Sequence, residues 1–341
     1  MTRTTPPRPI DVEALFPELA AYRGTTTRLH PRPGSPQISA SSVGGPMLWP
    51  ANEPWPVCSE AHSRGRGQRP VDIHRYRRVL ATAWALNRAP DPEERELLKA
   101  LHREHRISEA SETDPLPMIG LAQLYRRDVP DLPTGPGGCD LLQVFWCPFK
   151  AHGPDRYDLA LHLRRRRSSE VGEVLTLQPQ PPVVESEGFV PEPCVLHPEQ
   201  VVTYPFADPD FLPEDLCARI EAWDAAQEEA EQSTDESAAG PTGYQYDLSI
   251  PPGWRVGGFA SWHATDPYPM DCRTCGTPMR LLLTIDSLEW DGGSRSWKPL
   301  EDRLPAHRCA MPTEVTAGRF GELNVFACPT TPDHPHRWSI Q

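Results

Sequence analysis

No stretch of this sequence approaches the roughly 18 consecutive apolar residues that a membrane-spanning helix requires, and the charged, proline-rich start from Met1 to Pro9 lacks the apolar core of a signal peptide. A cytoplasmic location without a membrane partner is the expectation. Basic charge is also short: 34 Lys and Arg face 47 Asp and Glu, a formal net charge of -13. General nucleic-acid binders draw their affinity from neutralising phosphates, so this balance argues against that class and favours a basic partner. The clusters Arg64-Gly65-Arg66-Gly67, Arg75–Arg78 and Arg164–Arg167 run against the trend and are read as solvated faces. Catalytic signatures are missing as well: there is no HExxH, no P-loop, no GxSxG and no GxGxxG between a strand and a helix. Cys139, Cys194 and Cys217 have no evident base beside them, and Gly292-Gly293 reads as a turn. The chain is expected to be a binding module and not an enzyme; a zinc hydrolase is the enzymatic alternative, should a metal site keep an open position.

What is abundant is proline, at 42 of 341 residues, together with 10 Trp, 9 Phe and 8 Tyr. Proline fixes φ and has no N–H, which interrupts helices and keeps strands short. The aromatics supply core volume to a chain that is only 38% hydrophobic. An irregular α+β protein follows. Helices are predicted over Val12–Arg23, Val71–Asn87, Pro92–Arg106 and, strongly acidic, Pro213–Gln232. Strands are predicted over Met118–Tyr125, Asp140–Cys147, Tyr157–Arg164 and Glu173–Leu177, and later over Gly253–Trp262, Met279–Ile285 and Glu322–Cys328. The polar stretch Gln232–Gly243 reads as a linker. These signals divide the chain into an arm (1–41), a β-rich unit (42–206) with a helical insertion at about 63–112, an acidic helix and linker (207–243), and a second β-rich unit (244–341).

The two β-rich units carry the same signals in the same order. The first has Gly44-Gly45-Pro46, Trp55-Pro56-Val57-Cys58, a Leu121-Ala122-Gln123-Leu124 strand and Leu142-Gln143-Val144-Phe145-Trp146-Cys147-Pro148. The second has Gly257-Gly258, Trp262, Pro269-Met270-Asp271-Cys272, Leu281–Ile285 and Leu323-Asn324-Val325-Phe326-Ala327-Cys328-Pro329. An ordered series of this kind points to internal duplication.

An odd count of 9 Cys fits thiolate–metal sites better than a disulfide framework. Cys272-Arg-Thr-Cys275-Gly276 has the spacing of a zinc knuckle, in which a tight turn aims two thiolates at one ion and the Gly permits positive φ. Cys328 with His334, or with His336 in its place, completes a tetrahedron, and Cys309 competes for the fourth position. The first unit offers Cys58-x-x-x-His62 and Cys147-x-x-x-x-His152, a Cys₂His₂ set. Two structural zinc ions are expected. Four protein ligands leave no position for water, so each ion should hold loops together.

The Gly-Gly-Pro and Trp-Pro opening, the Leu-Ala-Gln-Leu strand, Val256-Gly257-Gly258, Cys272-x-x-Cys275-Gly276-x-x-Met279 and the closing Phe326-x-Cys328-Pro329, Trp338 and Gln341 resemble the YwqG-like proteins of bacteria. They are similar also to the programmed-cell-death-protein-2 and Tsr-four proteins of eukaryotes, grouped with YwqG as the TYPP domain. The resemblance runs from Ser42 onward, with the segment Ser63–Glu112 and the acidic helix outside the shared pattern. It implies a duplicated β-rich fold and, for the eukaryotic relatives, a chaperone that holds a ribosomal protein during ribosome assembly. For bacterial members it implies help in assembling other proteins, or immunity against a toxin encoded nearby. Unlike the shorter bacterial members, this chain has a Cys/His set in both units. A zinc-stabilised, chaperone-like module that captures a protein client is the functional expectation, with neutralisation of a cognate toxin as the alternative.

Overall fold

The computed structural model describes residues 2–63, 65–107, 111–150, 152, 159–232, 241–303 and 310–341. It is a mixed α+β protein with antiparallel sheets. The strands in chain order are β1 (Gly24–Arg28), β2 (Arg32–Pro33), β3 (Ser42–Val43), β4 (Val57–Cys58), β5 (Arg66–Gly67), β6 (His105–Arg106), β7 (Leu116–Pro117), β8 (Ile119–Tyr125), β9 (Leu141–Trp146), β10 (Leu161–Arg166), β11 (Cys194–Val195), β12 (Glu199–Thr203), β13 (Arg255–Val256), β14 (Arg280–Asp286), β15 (Glu322–Ala327) and β16 (Arg337–Ile340).

Two six-stranded sheets dominate. One runs β2-β11-β3-β8-β9-β10 and the other β12-β1-β13-β14-β15-β16. Their registers correspond position by position. Val43 pairs with Ala122 as Val256 pairs with Leu283. Each long central pair carries one bulge at the same place, between Gly120 and Ala122 in the first sheet and between Leu281 and Leu283 in the second. Gly44 and Gly257, both at positive φ, donate N–H to the carbonyls of Leu121 and Leu282.

Side chains alternate across a strand, and this decides what each face meets. Leu142, Val144 and Trp146 of β9 join Leu323, Val325 and Ala327 of β15 in one buried core between the two sheets. The opposite faces carry Phe145 and Cys147, and Phe326 and Cys328, in separate clusters. In the first of these, Trp49, Trp55 and Phe145 pack edge to face with centroids 5.2–5.5 Å apart. Polar pairs sit on the same outer faces: Gln143 Nε2 donates to Gln123 Oε1 at 3.4 Å, and Thr284 Oγ1 to Asn324 Oδ1 at 2.6 Å.

Among the described residues, the chain crosses between the sheets twice. Residues 24–33 enter one sheet as β1 and the other as β2, and residues 194–203 make the return passage as β11 and β12. The segment expected as a separate arm thus supplies a strand to each sheet, and β12, expected within the first unit, pairs with β1 in the second sheet. At the crossovers His197 N–H donates to the Leu29 carbonyl at 2.9 Å. His30, with φ of 44°, lies 3.3 Å from Glu199 and 3.5 Å from Glu289. Arg32 bridges Glu289 and Asp302, and Arg28 donates to Thr5 and to the Trp297 carbonyl. Burial pulls the Arg28 guanidinium down to about 10.

The helices depart from expectation in ways local chemistry explains. The first stops at Leu15 (α1, Val12–Leu15), because Pro17 lacks an N–H and pushes Phe16 to φ of −132°; a 3₁₀ turn over Pro17–Tyr22 follows. α2 spans Pro70–Ala85. α3 (Pro92–Leu101) begins with an Asp91/Glu94 capping box and ends before Arg106, because His105–Arg106 forms β6 against β5. α4 covers Glu214–Gln232 and buries Leu216 and Ile220 against Val12, Phe16 and Leu19. The strand predicted over Glu173–Leu177 does not form: Val174 makes an isolated bridge to Pro50, and Leu177 is exposed where prolines 179, 181 and 182 follow. That predicted over Gly253–Trp262 shrinks to β13, since Gly257 and Gly258 take positive φ. That predicted over Tyr157–Arg164 forms as β10, residues 157 and 158 lying outside the described residues. Among the described residues, no helix is long and apolar enough to cross a membrane.

Candidate metal centres

Each outer sheet face ends in a group of Cys and His donors. Cys147 and Cys328 follow the last residues of β9 and β15, and the strand alternation turns both away from the central core. Their partners come from a neighbouring ladder. Met118 N–H donates to the Pro56 carbonyl at 2.9 Å, and Met279 N–H to the Met270 carbonyl at 2.8 Å. Two residues on from each acceptor stand Cys58 and Cys272.

In the second group the ladder closes at once. Gly276 N–H donates to the Cys272 carbonyl, Cys272 N–H to the Thr277 carbonyl, and Gly276 at φ of 69° reverses the chain. In the first group the same ladder, here β4 with β7, is opened by the insertion carrying α2 and α3. His62, rather than a second Cys, supplies the donor on that side.

The structure brings together Cys58, His62, Cys147 and His152, and separately Cys272, Cys275, Cys328 and His334; within each group the donor atoms lie within 4.8 Å of one another. In the first, Cys58 Sγ lies 3.4 Å from His62 Nε2 and 3.3 Å from His152 Nε2, and Cys147 Sγ is 3.3 Å from His62 Nε2. In the second, Cys272 Sγ is 3.3 Å from His334 Nδ1 and Cys275 Sγ 3.6 Å from Cys328 Sγ. Around a tetrahedral ion with metal–sulfur bonds of about 2.3 Å and metal–nitrogen bonds of about 2.0–2.1 Å, such donors stand about 3.5 Å (S to N) and about 3.8 Å (S to S) apart. Both groups are compatible with structural metal sites.

Neighbouring groups prepare the donors. Ser63 O, 3.0 Å from His62 Nδ1, can only accept, which places the proton on Nδ1 and leaves the Nε2 lone pair facing the sulfurs. Cys147, and then the two imidazoles, hold the Cys58 thiol down at about 3 against the opposing effect of burial. Thr277, through its hydroxyl and its backbone N–H, lowers Cys275 to about 6. Thr331 N–H donates to Cys328 Sγ at 3.4 Å. The first group is wholly buried, whereas Cys275 of the second is exposed.

His336 does not join the second group. It lies near His162 and Arg165 of β10, and burial lowers its pKa. Cys309 lies outside the described residues. Cys194 is buried and donates to the Pro312 carbonyl, and burial raises the Cys217 thiol. The basic run Arg164–Arg167 is engaged within the molecule: Arg164 and Arg166 pair with Glu53, Arg165 donates to the Pro332 carbonyl and Arg167 pairs with Glu170.

Beside the second group runs a groove of about 660 Å³. Its walls include Phe206, Phe211, Trp262, Tyr268, Met270 and Met279, and Phe211 and Tyr268 are 39% and 40% exposed. The sequence patterns marked Trp262, Met270 and Met279 as parts of the repeat and not as walls of a groove, and did not mark Phe206, Phe211 or Tyr268. The available signal is the density of proline and aromatic residues around Pro267-Tyr268-Pro269. No protein-family model matches the chain, and no curated protein is detectably similar to it in sequence.

Proposed function

We propose that the protein is a zinc-stabilised, chaperone-like module in which two structural ions clamp the loop ends of duplicated sheets and the groove beside the second ion captures a segment of a client protein. The observation that carries this reading is the groove itself, where Phe211 and Tyr268 stay open to solvent above buried Trp262, Met270 and Met279, next to the second Cys/His group. Large apolar groups in such a place mark interaction surfaces. The matching registers of the two sheets support duplication, and the resemblance to YwqG-like proteins supports a role in holding other proteins. Zinc is the metal that mixed Cys/His donors in tetrahedral array select. With four protein donors at each ion, the role of the metal is structural.

Metal analysis of untagged protein is expected to give one zinc for each of the two clusters; protein purified without metal overturns the assignment. A photo-crosslinking residue in place of Tyr268 should join one stoichiometric partner in native cells, and Phe211→Ala should abolish that product. Failure to crosslink any partner refutes client capture while leaving the metal assignment standing.

A further inference from the structure

The geometry points to a second binding site, for an alkylammonium or guanidinium cation of side-chain size, in a cavity of about 340 Å³ on the outer face of the second sheet. This cavity shares no lining residue with the apolar groove, and the inference does not rest on client capture. Asp286 of β14 and Glu322 of β15 stand directly opposite in register and both line it. Like charges so placed repel. Burial, and then Glu322, raise Asp286 to about 8.

Asp286 accepts from Gly253 N–H at 2.8 Å and from Leu288 N–H at 2.9 Å, and Arg255 supplies a single positive charge against the two carboxyl groups, which leaves the pair in excess when both ionise. Arg255 on β13 is fully buried, but its Nη2 is 3.7 Å from Glu322, beyond hydrogen-bond distance, and its Nε and Nη2 have no hydrogen-bond partner. His263 and Asp291 line the cavity from the flanking loops, and Asp291 is occupied in accepting from Gly293 N–H and Ser294 N–H.

Ser261 identifies the missing component. Its side chain is 3% exposed, it lines the cavity, and its Oγ has no hydrogen-bond partner. A buried hydroxyl without a partner calls for a ligand atom or a water. An ammonium or guanidinium donates several N–H bonds and accepts none, which suits a floor of two carboxylates and a hydroxyl. At the rim, Tyr246 and Phe320 remain 52% and 61% exposed, and ring faces attract cations. Anions are disfavoured by the carboxylates. A metal ion is disfavoured because, among the described residues, no third Cys, His or carboxylate donor converges on the pair.

The test is isothermal titration of the whole protein with N-acetyl-lysine methylamide, N-acetyl-arginine methylamide and n-butylammonium chloride, with N-acetyl-norleucine methylamide as the neutral control. At least one cation should bind saturably at one per chain and the control should not. Tighter binding of a capped residue assigns the cation to a protein segment; tighter binding of n-butylammonium assigns it to a free amine. Glu322→Gln should weaken binding about tenfold, the loss of one charge-assisted hydrogen bond. Affinity should rise with pH toward about 8, with protons released on binding, as Asp286 ionises beside the ligand. Should Glu322→Gln fail to fold, Phe320→Gly removes only an exposed ring and should also weaken binding. Equal binding of the norleucine control, wild-type affinity in the variants that fold, or no saturation at millimolar ligand each overturns the site.

Discussion

Asp286 and Glu322 show how one residue pair sets a pH response. The Asp286 carboxyl is raised by burial, and then by Glu322, from the ordinary 3.8 of an aspartate to about 8, so the stability it contributes is complete below about pH 4 and is lost as pH rises through about 8. Glu322→Gln removes the like charge opposite and frees Asp286 to become the counter-charge of Arg255. The fall in Tm between about pH 6 and about pH 9 should then narrow, as two series of thermal melts would show; an unchanged fall would mean that Asp286 does not titrate in this window. Cys58 and Cys275 obey the opposite logic. Cys58 is held low by its neighbours, so its thiolate persists into acid, as a metal ligand requires.

At the scale of elements, the glycines that follow β3 and β13 have no freedom to change. Gly44 and Gly257 have φ of 63° and 71°, and a Cβ would approach the Glu192 carbonyl oxygen at 2.9 Å and Asp131 Cβ at 3.1 Å. Gly44→Ala and Gly257→Ala should each cost about 1–2 kcal/mol of unfolding free energy in denaturant titrations. The strands of the two sheets were legible only where alternation was long. Leu142, Val144 and Trp146, and Leu323, Val325 and Ala327, mark β9 and β15 with period two. By contrast β2, β3, β11 and β13 are two residues each, and β1 reads Gly-Thr-Thr-Thr-Arg without an apolar face. The eight donors could be grouped from spacing because they sit in short loops beside well-marked strands. The choice of His334 over His336 could not, since a two-residue shift is decided by where the loop docks on β10. The cation pocket was invisible because its lining comes from segments distant in sequence, joined only by sheet register.

For the whole molecule, the two Cys/His groups differ in shelter, and ions held by them should differ in lifetime. The first is buried on all sides, whereas Cys275 of the second is exposed. A chelator should remove the second ion first, in a distinct fast phase with little change in circular dichroism, and the first ion more slowly with loss of structure. A single phase of release would contradict the ranking. The two crossings between sheets shape the chain's history as well as its final form. On a ribosome, β1 is made early, yet its partners are β12 and β13, which emerge well over a hundred residues later. Until they arrive, its Thr-rich edge waits unpaired in solvent. The sheet that holds β1 cannot reach its native width as an autonomous nascent unit, and its folding must conclude after β16 emerges, at a pace set by long-range pairing.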